Sequence, residues 1–252
     1  MAGMCLPTPL LFHHAHAGCP SCGLLAWCRP AGLNALQTDQ LFALAEHRRV
    51  AKRGEFLHHA GAALKSLHVI RSGSVKSCIK HEDGREQITG ISFSGGLTGT
   101  EAIDGGKYLC DVVALEESTA CRVPFGEFER LSRSIPALQR HFNAAMGREI
   151  SRNYGLMLQL GSMSAEQRVA FFLLGLSEQL ASRGYSSTKF NLRLSRMEIG
   201  NYLGLQLETV SRVLSRFSKD RLVAVNHRYT EIRNPGGLRK LTGECQNIRA
   251  VH

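Results

Sequence analysis

The stretch GCPSCGLLAWC at residues 18–28 places Cys19, Cys22 and Cys28 at C-x2-C-x5-C spacing. Three thiols this close admit a disulfide knot, a metal site, or three unrelated side chains. Thiolates ligate zinc and iron–sulfur centres alike, and on spacing alone structural zinc is the simplest metal reading. His13, His14 and His16 could add ligands or belong to an exposed arm. Compartment bears on the choice. The longest apolar run, VAFFLLGL at 169–176, falls short of the ~18 residues a spanning helix needs. The start of the chain lacks a basic n-region, and histidines interrupt its apolar run, unlike a secretion signal. The chain therefore reads as cytoplasmic and free of the membrane, where thiols stay reduced, and that weighs against a disulfide knot.

A second set of residues suited to chemistry lies in SRMEIGNYLGLQLETVSRVLSRFSK, residues 195–219. Ser195 and Glu198 form a capping box that opens a short helix with Ile199 and Leu203 inward. Gly204 breaks it, and a second helix starts near Leu207. Val210, Val213, Leu214 and Phe217 form the buried stripe of that helix. Its other face carries Glu208, Ser211, Arg212, Ser215 and Lys219, with Thr209 and Arg216 as further candidate contacts. Two short helices joined by a Gly turn are a helix-turn-helix, whose second helix enters the DNA major groove. Arginine can pair with guanine O6 and N7, a carboxylate can accept from cytosine N4, and hydroxyls serve either role. The bland alternative for Glu208 and Arg212 is an i,i+4 ion pair on a solvated helix. Leu222, Val223, Val225, Tyr229 and Ile232 can form a β-wing.

The elements that must position these groups are legible upstream. Glycines punctuate residues 50–130, and LHVI (67–70), VKSCI (75–79) and QITGISF (87–93) alternate with turn signals. Asp83-Gly84 marks a hairpin, and the strand spacing predicts an antiparallel sandwich or barrel. Pro136 suits a first helical turn, with Ser134 as its N-cap. Met146, Ile150, Asn153, Met157 and Leu160 then follow a 4,3,4,3 spacing, the seam of a coiled coil with one polar residue in it. The alternative is one amphipathic helix lying on the β-domain. Ser164 and Gln167 form another capping box, and Val169, Phe172, Leu173, Leu176 and Leu180 line the helix that follows, up to Gly184.

The net charge is +10 in 252 residues with 43% hydrophobic content, enough to bury a core. Residues 164–235 hold 11 Lys/Arg against 6 Asp/Glu, whereas residues 1–40 hold only Arg29 and Asp39. A basic C-terminal third suits a polyanion, although basic charge alone fits a merely soluble protein equally well. Enzyme signatures are lacking: there is no H-x-E zinc-deaminase motif, Walker loop or H-E-x-x-H.

The segment LSRMEIGNYLGLQLETVSRVLSRF resembles the DNA-reading segment of the FNR group in the CRP/FNR family, with its E-x-x-S-R pattern at Glu208, Ser211 and Arg212. LKSLHVIRSGSVKS (64–77) and REQITG (85–90) resemble the family's sensory β-roll, and STACRVPFGEFERLS (118–132) its link into the dimer helix. The resemblance implies an α+β fold. It would comprise a jelly-roll-like, cyclic-nucleotide-binding-like β-roll, a long dimerisation helix and a C-terminal winged helix-turn-helix. The corresponding divisions are a cysteine-bearing segment at 1–35, β-roll at 36–133, dimer helix at 134–163, DNA-binding domain at 164–235 and tail at 236–252. It further implies a homodimeric transcription regulator, not an enzyme, that binds double-stranded DNA at a palindrome of TTGAT, a four-base spacer and ATCAA. Cys19, Cys22, Cys28 and Cys121 would hold an oxygen-labile 4Fe-4S cluster, which oxygen degrades to a 2Fe-2S form, weakening the dimer. Cys5, Cys78, Cys110 and Cys245 would be packing or surface thiols. HEDGREQ (81–87) resembles a surface shown to RNA polymerase. Asn153 stands where members often carry Asp, and a neutral residue repels its twin less. Trp27 stands where a smaller apolar residue is usual. A zinc or thiol–disulfide switch is the alternative sensor. A cyclic-nucleotide sensor is another, but residues 95–115 hold no arginine to meet a cyclic phosphate.

Overall fold

The computed structural model describes residues 32–243. A first helix, α1 (Ala35–Leu44), is closed by an Asn34/Gln37 capping box. The chain then builds two antiparallel four-stranded sheets. One orders β1 (Glu46–Ala51), β8 (Ser118–Pro124), β3 (Ser66–Ser72) and β6 (Leu97–Thr98). The other orders β2 (Phe56–His58), β7 (Asp111–Ala114), β4 (Ser74–Lys80) and β5 (Glu86–Phe93). Ile70, Val75, Val112, Ala114 and Ala120 fill the space between them. The Asp83-Gly84 turn closes the β4–β5 hairpin, with the Arg85 amide donating to Asp83 Oδ1 at 3.0 Å. A one-turn 3-10 helix at Thr100–Ala102 follows β6.

The approach to the long helix corrects one expectation. Residues Phe125–Ser134 form a separate helix, α2, and the long helix α3 spans Pro136–Ser162. Ser134 is not its N-cap: it belongs to α2, where its hydroxyl donates to the Leu131 carbonyl. The N-cap is Ile135, extended at φ −125° and ψ 92°. A residue before proline is pushed out of the helical region by the ring's Cδ, so Pro136 both ends α2 and starts α3. The 27 residues of α3 span about 40 Å. Leu138 at its start packs with Leu67, Phe128 and Ile135 on the β-roll.

After Met163 come α4 (Ala165–Ala181), β9 (Lys189–Asn191), α5 (Arg196–Leu203), α6 (Leu207–Lys219), β10 (Val223–Asn226) and β11 (Tyr229–Ile232). The last three strands form one antiparallel sheet in the order β10-β11-β9. Both expected capping boxes, Ser164/Gln167 and Ser195/Glu198, are present. A second correction concerns the tail expected from residue 236. Asn234 caps a further helix, α7 (Pro235–Leu241), by accepting from the Gly237 amide at 2.8 Å. Leu238 is fully buried against the same core as α4, and that burial holds the segment in the domain. No helix among the described residues is long and apolar enough to cross a membrane.

Candidate nucleic-acid interface and cysteine site

The turn between α5 and α6 is set by backbone contact. Gly204 adopts φ 62° and ψ 41°, and the Leu205 amide donates back to the Gly200 carbonyl at 2.8 Å. A Cβ on Gly200 would stand 2.5 Å from the Leu205 carbonyl oxygen, so no larger residue fits this turn without opening it. Val210, Val213, Leu214 and Phe217 of α6 are buried and fix which face looks outward.

That outward face carries the expected contacts. Glu208, Arg212, Ser215 and Arg216 are exposed, and Thr209 and Ser211 are half-buried. No ion pair joins Glu208 to Arg212 among the described residues. Arg212 instead donates to Thr209 Oγ1 at 3.3 Å, leaving most of its guanidinium donors outward. Arg216 is engaged within the protein, by Glu166 at the start of α4 and by Asp220 at 3.8 Å. No side chain caps the first turn of α6, and free amides at a helix N-terminus suit a phosphate. The β10–β11 wing pairs Asn226 with Tyr229, and its tip residue His227 has φ 53°.

Sequence reasoning missed Arg168. On α4 it donates to the carbonyls of Leu160 and Met163 at the end of α3, at 2.8 and 2.9 Å, and to that of Leu203 at the end of α5, at 2.9 Å. One guanidinium thus ties the long helix to the reading turn. Nothing in apolar periodicity marks such a residue, because its partners are backbone carbonyls exposed at helix ends. The reading domain also leans on the β-roll. Asn201 of α5 donates to the Glu86 carbonyl and accepts from the Ile88 amide, both at 2.5 Å. Lys76 bridges Glu86 and Glu198 at 3.1 and 3.2 Å.

The expected seam runs along α3. Ile150 and Met157 are 49% and 67% exposed, beside Tyr154 and Leu158, an apolar stripe that one chain leaves uncovered. Asn153 is exposed between them, and Met146 and Leu160 are half-buried. Leu160 lies against the turn at Gly204, where a Cβ would meet its Cδ2 at 3.2 Å. Leu138, Ala145, Gly155 and Gln159 are buried on the helix's other side. One side of α3 thus packs within the chain, while the stripe of Ile150, Tyr154, Met157 and Leu158 on the other side is uncovered.

Of the cysteine set, Cys19, Cys22 and Cys28 lie outside the described residues, as do Cys5 and Cys245. Cys121 lies on β8, paired with Val69 on one side and Arg48 on the other. Strand alternation puts it on the face of Thr119 and Val123, opposite Ala120 in the sandwich core. Val123 packs in the cluster that also holds Leu33. Cys121 therefore lies on the same face of β8 as Val123, whose cluster includes Leu33 near the start of the described residues. Cys78 and Cys110 are buried. Burial pushes the Cys78 thiol up to about 12 and raises that of Cys110 further, so neither is a ready thiolate.

Comparison with known proteins agrees with this architecture. Residues 48–134 match the cyclic nucleotide-binding domain family, and residues 167–241 match the Crp-like helix-turn-helix domain family. The chain is 40% identical over 228 residues to the transcriptional regulatory protein btr of Bordetella pertussis, covering 90% of this chain and 94% of that protein. It is 40% identical over 230 residues to the fumarate and nitrate reduction regulatory protein of Escherichia coli K12, covering 91% and 92%. Among solved structures, FixK2 from Bradyrhizobium japonicum superposes with a TM-score of 0.73 at 26% identity, covering 79% of this chain and 98% of that one. With a β-roll, a long helix bearing an uncovered apolar stripe and a helix-turn-helix in this order, the chain belongs to the CRP/FNR family of dimeric, DNA-binding transcriptional regulators.

Proposed function

We propose that this regulator responds to oxygen: Cys19, Cys22, Cys28 and Cys121 hold a 4Fe-4S cluster, and the loaded chain dimerises through α3 on a palindrome of the TTGAT and ATCAA kind. The reading is carried by the C-x2-C-x5-C spacing in a chain 40% identical to a fumarate and nitrate reduction regulatory protein. The position of Cys121, on the face of β8 that Val123 shares with the cluster holding Leu33, supports it. Four thiolates are the ligand set such clusters use, and when bound the cluster supplies a cross-link that oxygen can break.

The chain's own residues do the rest. Cys121 sits on β8, which runs directly into α2 and then α3, so tension at the ligand acts on the start of the dimer helix. Ile150, Met157 and the half-buried Met146 and Leu160 bury the seam, with Asn153 uncharged at its centre. A shift of about 1.4 kcal/mol in dimerisation is a factor of ten, and metal-site binding energy is also folding energy. On each chain Glu208, Thr209, Ser211, Arg212 and Ser215 meet base edges, and Arg216 supports the helix from its Glu166 pairing. The exposed tip of the β4–β5 hairpin, His81 to Arg85, is the surface offered to RNA polymerase.

The test is anaerobic purification, an absorption spectrum, iron and sulfide analysis, and operator binding before and after air. Coloured protein with about four iron and four sulfide per chain, and operator binding lost in air, is expected. Cys121→Ser should abolish iron uptake. Colourless protein, or equal operator occupancy after air, would end the proposal, and stoichiometric zinc in its place would favour a structural metal.

A further inference from the structure

Apart from the N-terminal cysteines and Cys121, one cluster among the described residues brings together donor types that a cation would satisfy together. His58 ends β2, Glu101 lies in the 3-10 turn, and Cys110 immediately precedes β7. Their donor atoms all lie within 4.8 Å of one another. His58 Nε2 is 3.7 Å from Glu101 Oε1, and Cys110 Sγ is 3.3 Å from the same oxygen. With metal–ligand bonds of about 2.0–2.3 Å, tetrahedral donors sit roughly 3.3–3.7 Å apart. Both measured edges match.

His58 supplies the independent sign. It is 7% exposed, and neither ring nitrogen has a hydrogen-bond partner. A buried imidazole with both nitrogens unsatisfied costs free energy unless something occupies the site. Its plane is fixed by Tyr108, stacked at 3.8 Å with planes 10° apart. The Tyr108 hydroxyl is itself anchored, donating to the Ser66 carbonyl at 2.6 Å. The imidazole is thus held in place without a hydrogen bond, its Nε2 facing the Glu101 carboxylate at 3.7 Å.

We propose that His58, Glu101 and Cys110 form a zinc-class divalent metal site in the β-roll, separate from the N-terminal cysteines. One imidazole, one carboxylate and one thiolate suit zinc, not magnesium or calcium, which prefer all-oxygen shells. Binding replaces the Cys110 S–H bond with an S–metal bond and releases the proton to solvent. A divalent ion with one thiolate and one carboxylate leaves the buried site uncharged, which removes the penalty that now keeps the thiol protonated. Glu101 also lines the cavity bounded by β5, α3 and α4.

The test uses the full chain carrying Cys19→Ser, Cys22→Ser and Cys28→Ser, so that failure of the oxygen-sensing proposal does not affect the result. Anaerobic titration with Co2+ should fill one site with tetrahedral d–d bands and thiolate charge-transfer absorption, displaced by Zn2+. Cys110→Ala should abolish the charge transfer, and Cys78→Ala should keep it. Glu101→Gln preserves shape and should weaken binding more than about tenfold, since even outer-sphere partners of a metal are worth 10- to 100-fold. Zn2+ should raise the midpoint of thermal unfolding only where Glu101 is intact. Absence of bound cobalt, charge transfer that survives Cys110→Ala, or unchanged affinity in Glu101→Gln would overturn the site.

Discussion

Arg212 and Arg216 stand one turn apart on α6, yet the fold gives them different surroundings. Arg216 is committed to Glu166 and Asp220, whereas Arg212 touches only the Thr209 hydroxyl and keeps its donors for a ligand. Arg212→Ala should therefore cost roughly 1–3 kcal/mol of operator binding and relax selectivity at one G·C pair. Fluorescence anisotropy on operators substituted one base pair at a time checks this. Equal weakening on every sequence would mean a phosphate contact. The exposed position of Arg212 on α6 was legible from helical spacing, because that depends on its immediate neighbours. The Arg216 pairing and the Arg168 clamp were not, because their partners lie on other elements.

At the scale of elements, the proposed function rests on the α5–α6 turn and the outer face of α3. Gly200→Ala brings a Cβ to 2.5 Å from a backbone carbonyl, and backbone cannot move aside as a flexible side chain can. The substitution should cost about 1–3 kcal/mol by overpacking, lowering both the thermal midpoint and DNA affinity. On α3, Ile150 is half exposed, so Ile150→Glu should leave the monomer folded while placing like charges across the seam. Sedimentation should show dimerisation weakened more than about tenfold, equivalent to over 1.4 kcal/mol. An unchanged dimer would place the interface elsewhere. The exposed side of α3 at Ile150, Asn153 and Met157 was visible in the sequence as a 3.5-residue period. The break at Ile135 has the same cause as the start at Pro136: the proline ring that suits a first helical turn also forces the preceding residue out of a helix.

Across the whole molecule, the reading domain is latched to the β-roll. Ile88 and Leu115 of the β-roll belong to the same apolar cluster as α4, α5 and α6, and Lys76 spans the junction to Glu198. Burial would raise the Glu198 carboxyl, but bonds from Ser195 and Lys76 outweigh it and hold the group below its ordinary range. Burial would likewise lower Lys76, and its bonds to Glu86 and Glu198 instead raise it. A carboxyl lowered on folding contributes fully above its unfolded value and loses that contribution as pH falls through the folded one. A raised lysine contributes below its unfolded value and loses that as pH rises through the folded one. The latch should therefore hold at neutral pH, weaken in acid below the ordinary carboxylate range, and weaken again only in strong alkali. Hydrogen exchange at the β4–β5 hairpin across pH measures it. Glu198→Gln keeps the capping box and should remove the acid limb; an unaltered acid limb would assign it to another group.

What the sequence determined by itself was local. The capping boxes at Ser164 and Ser195, the Asp83-Gly84 hairpin, the Gly204 turn and the buried stripe of α6 each depend on residues within about one helical turn or one strand repeat. The tertiary structure decided which distant groups meet. It brought His58, Glu101 and Cys110 together from three separate elements, turned Arg168 onto the ends of two helices, laid Leu160 against the Gly204 turn and drew residues 235–241 into the core. Such contacts follow from how packed faces settle against one another, and no periodicity along the chain records that.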